Sequence, residues 1–287
     1  MSSADPTPRT AVVTVTYGSD DVLPGFLRSV RDSSSQRPLV VVADNKPDDG
    51  ITRSLAEAEG ALYLAMTDNR GYGGAVNSAV EQLPASVEWI LVSNPDVVLG
   101  PGSLDSLTAR GDADPSIGSV GPAVLTPEGD VYPSARAVPS IRTGIGHALF
   151  ANLWPTNPWT RAYRREDTRF DVRDAGWLSG ACLLVRREAF DRLHGFDTGY
   201  FMYFEDVDLG MRLGEAGYRN VFDPTASVQH SGAHSTTRES ANMVRAHHAS
   251  AKRFLQRKYP GPLLWPTRIV LSAGLSIRSW LSTRRGR

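Results

Sequence analysis

The chain has 287 residues, of which 41% are hydrophobic and 22% charged, with 31 Lys and Arg balancing 31 Asp and Glu. That composition excludes a fibrous or low-complexity protein, and the length suits one sizeable α/β domain with an appendage. The lone Cys182 cannot form an internal disulfide, gives no support for secretion and fits a cytosolic protein. The net charge of zero hides an asymmetry: no Asp or Glu follows Glu239, while ten Lys or Arg do, leaving 21 basic against 31 acidic residues before that point. An acidic body with a basic tail predicts an anionic partner for the tail, a membrane or a nucleic acid. No aromatic platform for stacking bases is evident, so nucleic acid is not the expected partner.

Residues 1–8 lack a basic start and an apolar core, and read as a short disordered lead rather than a signal peptide. Ala11-Val-Val-Thr-Val-Thr16 is β-branched and predicts a buried strand. Leu23 to Arg31 suits a helix, Leu39 to Ala43 a second buried strand, and a Pro/Asp/Gly turn follows Asp44-Asn45. Helix is predicted from Ile51 to Glu59, a short strand from Ala61 to Leu64, and a helix from Tyr72 to Leu83 after a glycine turn. Trp89 to Ser93 is a further buried strand that ends at Asn94-Pro-Asp96. Alternating strands and helices predict a mainly parallel sheet flanked by helices, with right-handed crossovers. Ligands of such sheets bind beyond the carboxyl ends of the strands, where Thr16, Asp44 and Asp96 lie.

From about residue 115 the order loosens, and 132–176, rich in Pro, Trp and Arg, predict long loops. Trp177 to Val185 reads as a strand entered through a small-residue turn. Next comes the densest cluster of charge: Glu205, Asp206 and Asp208 follow an aromatic run. Three carboxylates this close repel one another. One reading is a helix start, with Asp208 paired to Arg212 one turn on. The other is chemistry, because Asn94-Pro-Asp96 lies upstream and His230 downstream, after a turn at Asp223-Pro224. A carboxylate for a metal, one for a proton and an imidazole together suit a phosphorylated substrate.

The pattern resembles the inverting glycosyltransferases of family 2, with the GT-A fold, over residues 9–235. The resemblance rests on Val13-Thr-Val-Thr-Tyr17, Ala43-Asp-Asn45, Asn69-Arg-Gly-Tyr-Gly-Gly-Ala-Val-Asn77, Asn94-Pro-Asp96, Trp177-Leu-Ser-Gly180 and Glu205-Asp-Val-Asp208. More narrowly, Tyr132-Pro-Ser-Ala-Arg136, Asn157-Pro-Trp159, Tyr200-Phe-Met-Tyr203 and Ala233-His-Ser-Thr236 resemble the actinobacterial rhamnosyltransferases of the cell-wall linkage unit. That resemblance implies a dTDP-L-rhamnose donor and an N-acetylglucosaminyl-diphospho-polyprenol acceptor. It leaves open another sugar, such as galactofuranose or N-acetylglucosamine, or a non-catalytic sugar-nucleotide-binding protein.

The resemblance also implies roles. Asp206 is the general base that takes the acceptor proton, and Glu205 orients the acceptor or adjusts Asp206 by like charge. Asp96 and His230 hold a divalent cation, Mg²⁺ or Mn²⁺, with His234 the competitor for the second place. Asn94 stands where the family usually has the first Asp of Asp-x-Asp. Asp44 bonds the nucleotide base, or alternatively closes an Asx-turn. Thr16 and Tyr17 line the same pocket. Asn69, Gly71, Gly74 and Asn77 open a helix close to the donor, or form a tight structural turn. Trp177, Ser179 and Gly180 form an acceptor turn, where the Trp177 indole stacks on a sugar or belongs to the core. Asp208 is structural, Cys182 is core, and His247 and His248 are surface residues.

Residues 236–287 predict a basic, helical C-terminal appendage. Between Arg268 and Arg278 only nine uncharged residues intervene, too few for a span of about 20. Ile269, Val270, Ile277, Trp280 and Leu281 share an arc of about 120° on a helix. With Trp265 and the arginines, that suits a helix lying on an anionic membrane surface, on the cytoplasmic face. Packing on the protein's own core, or on a second subunit as a homodimer, is the alternative.

Overall fold

The computed structural model describes residues 8–47, 50–140, 170–232, 240–266, 268–271 and 276. The lead at 1–7, Asn157-Pro-Trp159, Ala233-His-Ser-Thr236 with His234, and the tail residues Leu275, Ile277, Trp280 and Leu281 lie outside them.

Strands β1 (Thr10–Thr16), β2 (Leu39–Asp44), β3 (Leu62–Ala65) and β4 (Trp89–Ser93) run parallel, in the order β3-β2-β1-β4. Helices α1 (Leu23–Asp32), α2 (Ile51–Ala58) and α3 (Gly71–Val80) alternate with them. Every sequence-predicted element of this half is present, within a few residues at each end. Alternate side chains of the β-branched strands feed two cores. Ala11, Val13 and Val15 join one with α3, and Val12 joins the other with α1.

The second half is less regular. After β5 (Val97–Leu99) and α4 (Ser103–Asp112) come β6 (Ile117–Leu125) and the short strands β7 (Val131–Tyr132), β8 (Ala135–Arg136), β9 (Arg173–Ala175) and β10 (Trp177–Leu178). Strand β11 (Cys182–Arg186), helices α5 (Arg187–Arg192) and α6 (Glu205–Glu215), strand β12 (Arg219–His230) and helix α7 (Ser240–Lys258) follow. The ten-stranded sheet continues β4-β11-β6-β12-β5. Here β11 is antiparallel to β4 and β6, while β12 is parallel to β6.

Three features depart from the sequence reading. Strand β6 is a central, buried strand where loosening order is predicted. Gly118 and Gly121, which read as loop residues, are there because Tyr218 and Leu178 pack where their Cβ atoms would be. The Trp177–Val185 strand is two strands divided at Gly180. Asp223-Pro224 does not reverse the chain; it is a bulge inside β12, between pairs Asp223↔Pro122 and Ser227↔Ala123.

The basic segment begins as a docked helix. On α7, Phe254 is buried among Trp177, Tyr200, Val207 and Met211. Ser250 donates to the Met202 carbonyl at 2.7 Å, Arg253 pairs with Asp197 at 2.9 Å, and Arg257 pairs with Asp208 at 2.7 Å. Core packing therefore claims this part of the basic region.

Gly71 is a point of close backbone approach. Its φ is +73°, and a Cβ there would overlap the Phe201 carbonyl. Gly129, at φ +90°, has open space around it. Gly129→Ala is expected to cost about 1–2 kcal/mol from its backbone alone. Gly71→Ala should cost roughly 1–3 kcal/mol more through overpacking. Urea unfolding of the two variants measures the gap; equal losses would mean that the 201–204 loop yields freely.

Candidate active site

The site begins at the carboxyl ends of β1 and β2, where Thr16 and Asp44 are register partners. Asp44 is 1% exposed and its carboxylate accepts from the Tyr63 hydroxyl at 3.0 Å and the Lys46 N–H at 3.1 Å. The Asx-turn of the sequence reading therefore exists, closed by Lys46 rather than Gly50. Each oxygen keeps further lone-pair capacity. Beside it, Thr16 Oγ1 and Asn45 Oδ1 are buried without a hydrogen-bond partner among the described residues. Such orphans cost about 1–3 kcal/mol each, which a ligand would relieve. Tyr17, 47% exposed, lies under the Lys46 ammonium at the rim.

Asn94-Pro95-Asp96 turns the chain from β4 into β5, and β5 pairs with β12 so that Val97 faces His230. That register brings His230 Nε2 within 3.1 Å of Asp96 Oδ1, and the Asn94 amide within 3.4 Å of the same nitrogen. Burial pushes the Asp96 carboxyl up, but its hydrogen bond and attraction to His230, helped by Ser231, hold it below the ordinary carboxylate range. Among the described residues no three His, Cys, Asp or Glu side chains converge as a metal cage. One carboxylate, one imidazole and one amide oxygen nevertheless suit a hard cation that keeps waters or phosphate oxygens.

Three sequence motifs meet at Gly180. Its N–H donates to Asp206 Oδ2 at 2.9 Å, and its carbonyl accepts from the Tyr72 hydroxyl at 2.8 Å. The next residue, Ala181, accepts from the Asn94 N–H at 3.0 Å, which ties this turn to Asp96. Helix α6 reaches the turn because Gly210 lets its backbone lie directly against Trp177. Asp206 also accepts from the Val207 N–H at 2.8 Å. Burial raises the Asp206 carboxyl, opposed by those two N–H groups and by the Arg136 charge. Burial, then the Asp206 charge, raises Glu205 well above the carboxylate range. Glu205 is 7% exposed, and its Oε2 has no partner among the described residues. The pair thus holds one half-buried carboxylate in hydrogen-bond contact with a backbone N–H, beside one acid that favours its proton.

The glycine segment is built for packing. Asn69 accepts from the Gly71 N–H at 3.0 Å, and the Tyr72 N–H donates to Phe201 at 3.1 Å, so the first N–H groups of α3 are already taken. Gly74 lies against Arg70. Asn77 is bonded both ways to the Phe196 backbone at 2.9 Å. These contacts give Asn69, Gly71 and Asn77 positioning roles, in keeping with the tight structural turn that the sequence offers beside a place close to the donor. The Trp177 alternative also falls to the core: the indole is 6% exposed and Nε1 donates to Ala137 at 3.2 Å. Ser179 donates its N–H to Ser134 at 2.8 Å and supports the turn. Asp208 is buried against Arg212 at 2.6 Å, and Cys182 is buried, as the sequence implies. His247, exposed, edges onto Tyr203 and Phe204. Sequence reasoning missed Tyr72 and Arg136 as site residues, although both stand inside motifs it quoted.

A mostly parallel sheet flanked by helices, with buried carboxylates and an Asp–His pair at its strand ends, is the architecture of the GT-A fold. The sequence matches the family "Glycosyltransferase like family 2" over residues 8–251. It is 44% identical, over 95% of this chain and 92% of the relative, to N-acetylglucosaminyl-diphospho-decaprenol L-rhamnosyltransferase of Mycobacterium tuberculosis. It is 26% identical to rhamnosyltransferase WbbL of Escherichia coli, over 86% of this chain and 92% of that one. Among solved structures, a mannosyltransferase of Pyrobaculum calidifontis, in complex with GDP-Man and Mn²⁺, shares the fold: TM-score 0.59, 18% identity, 96% of this chain and 72% of that chain. The chain belongs to glycosyltransferase family 2.

The Glu205 burial carries a stability consequence. Its folded pKa lies above its unfolded one, so the native state loses stability as pH rises from the ordinary glutamate range towards the raised value. Glu205→Gln should therefore be more stable than the parent at pH 9, by on the order of a few kcal/mol, and equal to it near pH 4. Thermal melts across that range check the sign; a gain that is independent of pH would place the strain elsewhere.

Proposed function

We propose that the enzyme transfers L-rhamnose from dTDP-L-rhamnose to an N-acetylglucosaminyl-diphospho-polyprenol, with inversion, at a membrane surface. The observation that supports the chemistry is Asp206, oriented by the Gly180 N–H and with its carboxyl raised by burial. The substrates follow from the 44% identity to the mycobacterial rhamnosyltransferase. The Asp206 carboxylate takes the proton of the acceptor hydroxyl as that oxygen attacks the anomeric carbon. The new C–O bond forms on the face opposite the diphosphate, the bond to the phosphate oxygen breaks, and dTDP leaves. Protonated Glu205 beside the base can donate a hydrogen bond to the acceptor. Asp96 and His230, with the Asn94 oxygen, would hold a Mg²⁺ or Mn²⁺ ion, which supplies charge to the departing diphosphate. Asp44, Thr16 and Tyr17 are assigned to the nucleotide.

Among the described residues no helix is long and apolar enough to cross a membrane. Beyond α7, Leu264, Trp265, Ile269 and Val270 are exposed, between 39% and 70%. Apolar side chains next to Lys and Arg support an interfacial seat near a lipid-linked acceptor.

Asp206→Asn is expected to lower transfer by roughly 10²–10⁴-fold while donor binding, read by calorimetry, stays near that of the parent. Transfer within a few-fold of the parent would remove Asp206 from the role. A wild-type enzyme that, with Mn²⁺, turns over UDP-sugars in preference to dTDP-L-rhamnose would overturn the donor.

In metal titrations, Asp96→Ala should weaken Mn²⁺-dependent donor binding strongly, and His230→Ala less, because the carboxylate carries the formal charge. An unchanged metal dependence in both would place the cation elsewhere.

The double variant Trp265→Ser/Val270→Ser should bind anionic vesicles less well than the parent, most visibly at 1 M salt, where the Debye length is only about 3 Å. Co-sedimentation measures this. Equal binding, with a concentration-dependent shift in sedimentation velocity, would assign the patch to a homodimer.

A further inference from the structure

Tyr132-Pro-Ser-Ala-Arg136 has so far been given no ligand, yet it ends in a cation near Asp206. Arg136 lies on β8, directly paired with Trp177 of β10, and β10 leads two residues later into Gly180. Its guanidinium carbon sits 5.0 Å from the Tyr132 ring centre and 5.3 Å from that of Trp177. Its Nε donates to the Pro133 carbonyl. Two aromatic faces and a backbone acceptor thus fix the plane of the group, and the side chain is only half-buried. The two terminal nitrogens have no carboxylate within 4.0 Å among the described residues, unlike Arg212, Arg253 and Arg257, which all do. The Arg136 charge is felt at Asp206 but makes no ion pair with it. Asp206 and the oriented guanidinium therefore stand near each other without pairing, and among the described residues no carboxylate neutralises the guanidinium.

We propose that Arg136 binds the diphosphate of the lipid-linked acceptor, so that the acceptor sugar bridges Arg136 and Asp206. This rests on the acceptor proposed above. In that acceptor the attacking hydroxyl and the anomeric diphosphate stand on the same sugar ring, so one molecule can meet both Asp206 and Arg136. A planar guanidinium matches two phosphate oxygens, and a stacked one loses little freedom on binding. The donor's own diphosphate belongs with Asp96 and His230, at the other edge of the site. Arg136 would thereby select acceptors by charge as well as by sugar.

The test uses the full chain with dTDP-L-rhamnose and two acceptors: N-acetylglucosamine joined to a short prenyl chain through a diphosphate, and the same sugar joined to the same chain as a neutral glycoside. Calorimetry gives the Kd of each acceptor and of the donor, and transfer gives kcat and KM. Arg136→Ala should weaken the diphosphate acceptor by roughly 10–100-fold. The donor Kd and the neutral glycoside should change far less, so that the preference for the diphosphate collapses. Arg136→Lys should recover part of it. Equal losses on both acceptors would make Arg136 a structural residue, and a loss confined to the donor would assign it to the nucleotide diphosphate; either overturns the proposal. If Arg136→Ala fails to fold by circular dichroism, the preference shown by Arg136→Lys decides, and a preference equal to the parent's overturns it. A wild-type enzyme with no transfer to the diphosphate acceptor sinks this inference and the proposed function together, whereas wild-type transfer matched by Arg136→Ala sinks only the inference.

Discussion

The candidate site depends on one close approach of backbones at Gly180. Its N–H holds Asp206 and its carbonyl holds Tyr72, so helices α6 and α3 are clamped to the same peptide turn. A Cβ at Gly210 would overlap Trp177, and one at Gly71 would overlap Phe201, so both helices come this near only because glycine stands at each contact. A charge-assisted bond from a rigid N–H gives the carboxylate a direction as well as a partner. The start of α6 adds its dipole, which favours the ionised form of Asp206.

Around that contact the protein accepts unfavourable terms. Tyr203 and Phe204 have φ of 67° and 68° immediately before Glu205. Bulky residues in that region cost on the order of 1–3 kcal/mol each, and persist only where their surroundings hold them. Here Phe204 is held against Phe254 of α7, with ring centres 5.5 Å apart. The buried, orphaned Glu205 oxygen is a second such term. Strain and desolvation gathered at one loop fit a site built for function.

Two residues beyond Asp206, Asp208 carries the compensating structure. It is fully buried, and Arg212 and Arg257 reach it at 2.6 and 2.7 Å. Arg212 also donates to the Leu193 and Gly195 carbonyls, which anchors α6 to the loop after α5. A buried ion pair adds little net stability, but breaking one leaves an uncompensated charge, and it fixes one arrangement of its elements. Through Arg257, α6 is joined to α7, beyond which Leu264, Trp265, Ile269 and Val270 are exposed.

Residues 10–93 were legible from the sequence because their signal is local: apolar runs, glycine turns and the alternation of strand and helix lie within a few residues of one another. The types and order of the motif residues likewise pointed to Asp96, Asp206 and His230. What tertiary structure decided was non-local. Asp96 meets His230 across 134 residues only through the register of β5 on β12, with a bulge at Pro224 that local pattern presents as a turn. Strand β6 was hidden because Gly118, Gly121 and Pro122 lower its strand propensity, while the packing of Tyr218 and Leu178 demands those small residues. Whether Trp177 faces a sugar or the core, and whether Asn77 touches a ligand or a backbone, depends on what stands opposite in space. Sequence period cannot encode that, because side chains of the same type satisfy either environment.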